Sequence, residues 1–261
     1  MSQKPHLEEI DLVRGLAILG VLLVHSTAWA TVYMAESKYY GVYNFFNIFF
    51  KFGTTTFIFL SSFVLFFNYY PQKLTWQRTV RFYRNRLLYI LLPYVVFSVF
   101  YFVYKWDLEG RAWHFPAMLQ DFGMKLLTGD AFYHLYFVFI SVQFYILFPF
   151  LLMLMQRFRK LAAHAIWIGL AVAWGFIVLN HYEWHVPNRG SWAPTYFAQF
   201  FLGAWLGIYF DKVRAWLKPQ ERKTARLRAA VPILLHVVWI AAGFVQVYMW
   251  HSMRSGSARY S

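Results

Sequence analysis

The chain has 261 residues, of which 60% are hydrophobic and only 14% charged, with a formal net charge of +14 and no cysteine. Soluble domains average about 25% charged and 45–50% apolar residues, so this composition excludes an ordinary soluble domain and indicates an integral membrane protein. Phe 29, Tyr 19 and Trp 12 fit that class, where Trp and Tyr collect at the interfaces, and the missing cysteine removes disulfides, thiolate nucleophiles and cysteine metal sites.

Seven apolar segments follow in chain order, at roughly 10–33, 43–67, 86–104, 131–155, 161–180, 192–210 and 229–250. About 20 residues at 1.5 Å each cross a hydrocarbon core of ~30 Å, so the expected fold is an all-α polytopic transmembrane helix bundle with about seven helices. The first segment is no cleavable signal, because Glu8, Glu9 and Asp11 charge its head and its apolar run is too long for an h-region. The connections at 68–86, 156–164 and 211–228 hold five, three and seven Lys or Arg and alternate with poorer ones. The positive-inside rule then places the N-terminus in the cytoplasm and residue 261 outside, in a multi-pass protein of the cell membrane. Residues 105–130 form the longest outer loop, with Trp106, Trp113 and Phe115 expected at the interface. The stretch 211–228 suits a basic amphipathic helix on the inner, anionic leaflet. That role accounts for the basic charge without nucleic acid, which is not expected as a partner.

Within the first segment, "RGLAILGVLLVH" sets Arg14 and His25 at the ends of an apolar run. Eleven residues at about 100° come within roughly 20° of three full turns, so both side chains share one helix face, about 16 Å apart along the axis. Intramembrane ionisable groups mark functional sites by default. Taken singly, Arg14 also reads as a snorkelling anchor and His25 as an interhelical hydrogen-bonder. Their common face favours a passage that starts at the inner surface and ends deep in the protein.

"IDLVRGLAILGVLLVH" resembles the opening of the acyltransferase 3 family of membrane-bound O-acyltransferases, a basic residue, ten intervening residues and then a histidine. "FIFLSSFVLFF" (57–67), "FYRNRLLYILLPY" (82–94), "GDAFYHLYFVFISVQFYILFPFL" (129–151) and "YFAQFFLGAWLG" (196–207) are similar, in order, to further helices of that family and span nearly the whole chain. Ser62 stands where the family has the glycine of its SGF step. The paired R-x-x-R of the third helix is met by Arg81 and Arg84 rather than by a residue following Arg86. Family members carry about ten membrane helices, so the resemblance implies one membrane domain over residues 1–261, truncated at its C-terminus.

The resemblance implies transfer of an acyl group, commonly acetyl, from a cytoplasmic acyl-CoA to a hydroxyl on an extracytoplasmic glycan, with the acyl-CoA as donor substrate and no tightly bound cofactor. The residue types suit that task. An imidazole is the side chain best matched to general-base work at neutral pH, which makes His25 the catalytic candidate with Arg14. Arginine forks match the phosphates of CoA, and Arg84 and Arg86 lie on the same side of the membrane as Arg14 in this topology. Plain positive-inside topology explains the 78–86 cluster as well. His134 and Tyr136, beside Asp130, open the fourth helix on the outer side, and the family match makes them acceptor-side candidates. Asp11, one turn before Arg14, either marks the helix start or orients Arg14. Trp106, Trp113, Trp184 and Trp192 offer stacking surfaces for sugars or interfacial anchors. His181 and His185 have helical i, i+4 spacing, but no carboxylate-rich set completes a metal site. A transporter or flippase component of polysaccharide export would use the same His and Arg without covalent chemistry, although no Gly/Pro-broken helices occur in corresponding halves. A non-catalytic scaffold in polysaccharide synthesis is the third reading.

Overall fold

A computed structural model describes residues 7–128, 135–217 and 222–254, apart from the side chains of residue 87 and of 222–229. Among the described residues every regular element is helical. The helices are α1 (Glu8–Tyr33), α2 (Tyr40–Phe49), α3 (Phe52–Tyr69), α4 (Trp76–Arg86), α5 (Leu92–Leu108), α6 (Phe115–Thr128), α7 (Tyr136–Arg157), α8 (Arg159–Ala163), α9 (Ala165–Leu179), α10 (Phe197–Leu217) and α11 (Arg222–Arg254).

Among the described residues, six stretches are long and apolar enough to cross a membrane: Glu8–Tyr33, Tyr40–Tyr69, Trp76–Leu108, Tyr136–Arg157, Ala165–Trp184 and Ala230–Arg254. The expected all-α membrane architecture is therefore observed. The segment at 192–210 falls short of that length. It begins with a 3-10 turn over Ala193–Tyr196, and α10 carries Asp211, Lys212 and Arg214 in its final turns. The charge-free stretch from Phe197 to Phe210 rises only about 21 Å.

Three local features depart from the simple segment reading. The second span breaks at Phe50–Lys51, where the Lys51 N–H donates to the Ile48 carbonyl and that of Gly53 to Phe50. The third span passes through a π-helical turn at Leu87–Leu91, immediately before Pro93 in the first turn of α5. Proline donates no N–H to the ladder, and a single π turn accommodates the gap. Finally, where one basic helix was expected over 211–228, the described residues 211–217 prolong α10 and 222–228 open α11.

The chain forms two compact units, residues 1–60 with 209–261, and residues 61–208. In the first, α1 buries Ala17 and Gly20 against the α2–α3 break. A Cβ on Gly53 would stand 2.6 Å from Val21 Cγ2 and 3.1 Å from the Ala17 carbonyl, and one on Gly20 would stand 3.3 Å from the Phe50 carbonyl. Small residues permit this approach, and van der Waals contact rather than hydrophobic exclusion holds helices together in lipid. On its other side α2 meets α11, where Phe49 covers Gly243.

The second unit centres on α10. Phe66, Phe148 and Phe200 are fully buried, with Phe66 edge-on to both others and Phe144 stacked on Phe200 at 4.2 Å. Gly207 lies so close to α3 that an added Cβ would meet the Phe63 carbonyl at 2.5 Å. Ser62 is completely buried there and donates its hydroxyl to the Phe200 carbonyl at 2.5 Å. The serine that replaces glycine in the SGF step is thus accommodated, because its only polar atom finds an acceptor on the partner helix.

Candidate functional site

The first unit contains Arg14 and His25. Because α1 runs without interruption from Glu8 to Tyr33, the two side chains share a face of one rigid element, as the spacing requires. Arg14 donates to the Asp11 carboxylate at 3.2 Å, so the orienting contact expected of Asp11 is present. Both groups are about half exposed, which leaves the remaining guanidinium donors able to reach an anion.

His25 is half-buried in a turn fastened by side chains. The Asn47 carboxamide, from α2, donates to the Val24 carbonyl at 2.9 Å and to Thr27 Oγ1 at 3.4 Å. Thr27 donates to the Leu23 carbonyl at 2.6 Å, and Ser26 to the same oxygen at 3.1 Å. Asn47 is almost completely buried, and its two contacts bracket His25 on either side. This clasp fixes the height and rotation of the imidazole-bearing turn against α2. The same criterion that singled out His25, a polar group within an apolar run, also identifies Asn47.

The second unit contains Arg84, Arg86 and Tyr136. Arg84 is exposed and, with Arg81, Trp76 and Gln77, lines a cleft of about 460 Å³ along one stripe of α4. Arg86 turns the other way. It is half-buried, and its guanidinium stands over the rings of Tyr145 at 5.2 Å and Phe82 at 5.9 Å. Two residues advance a helix by about 200°, which is why these neighbours diverge. The Arg81–Arg84 spacing, not Arg84 with Arg86, places two guanidinium groups on one surface.

Tyr136 opens α7, while Asp130 and His134 lie outside the described residues. Burial, and after it the nearby Tyr136, push the Tyr196 phenol above its ordinary value. The Tyr196 hydroxyl donates to the Gly190 carbonyl at 2.8 Å and Thr195 Oγ1 to the Arg189 carbonyl at 2.7 Å. Gln143 ties this loop to α7: it donates to the Ser191 carbonyl at 2.8 Å and accepts from the Ala193 N–H at 3.0 Å. Gln143, like Asn47, is a polar residue inside an apolar run.

Among the tryptophans, Trp106 departs from the interfacial expectation. It is 7% exposed, packed on Phe102 and covered by the Arg111 guanidinium at 5.1 Å, and the expected loop carries α6, whose Phe122 packs on Phe102 at 5.2 Å. Trp113 and Trp184 remain exposed, whereas Trp192 is half-buried with its ring edge-on to Phe139. Among the described residues, no three His, Cys, Asp or Glu side chains form a group suited to a metal ion.

The family model described as an acyltransferase domain matches residues 7–258. No curated protein and no solved structure matches the chain.

Proposed function

The chain belongs to the acyltransferase family whose model spans it, and from that premise we propose that it moves an acyl group, acetyl in the first instance, from a cytoplasmic acyl-CoA to a hydroxyl of an extracytoplasmic glycan. The observation that carries this reading is the unbroken α1, which presents Arg14 near its acidic start and His25 on the same face about 16 Å further along. The Lys/Arg alternation puts the Arg14 end on the cytoplasmic side.

In this reading arginine forks hold the donor's phosphates, and Arg14 in the first unit and the Arg81–Arg84 surface in the second are each candidates for that contact. The thioester reaches toward His25 on the donor's flexible arm. His25 takes the proton of the acceptor hydroxyl as its oxygen adds to the thioester carbonyl. The C–S bond then breaks, and CoA leaves as a thiolate that takes up a proton. Asn47 keeps the imidazole turn in place during this exchange, and Tyr136 and His134 serve the acceptor side. Consumption of a thioester separates this reading from a transporter, which would bind the same polar groups and change no bond.

The test is replacement of His25 by Gln and by Ala in cells that carry the acceptor. General-base catalysis contributes roughly 10²–10⁴-fold, so glycan O-acylation is expected to fall to a few per cent or less while membrane insertion persists. A well-expressed His25→Gln protein that acylates near the wild-type rate would overturn the assignment, because glutamine retains much of histidine's hydrogen bonding and none of its basicity.

A further inference from the structure

Lys51 is a cation in the middle of an apolar span, at the break between α2 and α3, about 16 Å along the helix axis from Tyr40. Among the described residues no carboxylate pairs with it. Its ammonium stands 4.7 Å from the centre of the Trp250 ring, and the Arg254 guanidinium stands 5.1 Å from the same ring. Arg254 donates to Asn44 Oδ1 at 3.2 Å, and Asn44 donates in turn to the Val247 carbonyl at 3.3 Å, so the guanidinium is anchored to α2. Two cations therefore gather on one indole, and among the described residues no carboxylate pairs with either.

Lys51 lines a pocket of about 250 Å³ together with Thr55 and Gln246. Phe52 and Trp239, edge-on to each other at 5.3 Å, form one wall of it. The same pair lines an adjoining groove of about 460 Å³, whose other lining residues are the apolar Val13, Leu16 and Leu235 together with Thr56 and His236. From Gln246 to Leu235 the path along α11 is about 16 Å, and Leu235 and Trp239 are exposed. A polar, cationic compartment thus adjoins, across an aromatic wall, a mostly apolar one.

We infer that this surface is a binding site for an anionic phospholipid, with its phosphate on Lys51 and Arg254 and one acyl chain in the groove beyond Phe52 and Trp239. Charge complementarity selects the head: Lys51 within one apolar span and Arg254 at the end of another, with no carboxylate on either among the described residues, attract an anion, and a single headgroup bridges both. The continuity of pocket and groove selects an amphiphile over a free ion. This inference is independent of the acyl-transfer reading, because it requires only that the chain lies in a bilayer.

The test is native mass spectrometry of the purified full-length chain in neutral detergent. The probes are dioleoylphosphatidylglycerol, dioleoylphosphatidylcholine and inorganic phosphate. Phosphatidylglycerol is expected to remain bound several-fold more than phosphatidylcholine. One basic group near a lipid surface is worth about fivefold, so Lys51→Met and Arg254→Met each weaken phosphatidylglycerol binding about fivefold and the double variant about twenty-five-fold. Trp239→Ala, at the aromatic wall, weakens it without touching either cation. Equal retention of the two lipids, or undiminished phosphatidylglycerol on a double variant that unfolds at the wild-type temperature, overturns the site. Displacement of the lipid by millimolar inorganic phosphate, with no effect of Trp239→Ala, overturns the lipid assignment. If Lys51→Met fails to fold, Gln246→Leu in the same pocket replaces it, and unchanged lipid retention by that variant counts against the site.

Discussion

Gly207→Ala tests whether α3 and α10 are in backbone contact. The added Cβ would lie 2.5 Å from the Phe63 carbonyl oxygen, 2.9 Å from the Phe67 nitrogen and 3.3 Å from the Phe63 carbonyl carbon. All three are backbone atoms, so no side chain can swing aside, and α10 must retreat by about 0.7–1 Å to restore an ordinary contact. Two turns away, that retreat stretches the Ser62–Phe200 hydrogen bond, which joins residues 138 apart in sequence. Overpacking costs about 1–3 kcal/mol and the weakened bond about 0.5–1.5 kcal/mol, while replacing a helical glycine by alanine returns about 0.8–1 kcal/mol. The net loss is about 0.5–3.5 kcal/mol, read as a lower unfolding midpoint in dodecyl-sulfate titration of the protein in maltoside. Gly175→Ala is the control, since nothing lies within 4 Å of its added Cβ, and it is expected to be neutral or stabilising by up to about 1 kcal/mol. If Gly207→Ala and Gly175→Ala unfold at the same midpoint, the close approach of these helices is refuted.

Asn47→Leu removes the clasp on the His25 turn, and hydrogen bonds between membrane helices are worth about 0.6–1.7 kcal/mol each. Steady-state kinetics should show kcat falling by more than KM rises, whereas a purely structural loss would lower the amount of active enzyme alone. Arg84→Ala should weaken acyl-CoA binding by about 1.5–3 kcal/mol for a lost charged hydrogen bond, measured by equilibrium binding. Arg86→Ala should instead lower thermal stability, because its guanidinium covers two rings, with about 0.5–2 kcal/mol at stake. Cysteines placed at Glu109 and Arg222 should differ in reaction with an impermeant reagent in intact cells, with labelling at 109 only. Labelling at 222 alone would invert the orientation.

Much of this protein was legible from residue order because a bilayer is a demanding solvent. Every backbone polar group within it must be satisfied inside its own segment, so long apolar runs can only be helices. The positions of α1, α7, α9 and α11 follow from that constraint, and Arg14 and His25 fall on one face because a helix has a fixed period. The family match over residues 7–258 was visible in the same motifs. Tertiary structure decided how those helices meet. No pattern in "FFKFG" announces that the second span breaks at Phe50–Lys51, since the break depends on how closely Ala17, Gly20 and Gly53 let two backbones approach. Nor does local sequence show that Asn47 reaches across to the His25 turn, that Arg86 turns toward Tyr145 while Arg84 stays exposed, or that Trp106 is covered by Arg111. Each of these depends on where the chain turns or which helices meet, set by interlocking side-chain volumes. Period and hydropathy fix which residues lie in the membrane, and packing decides which of them touch.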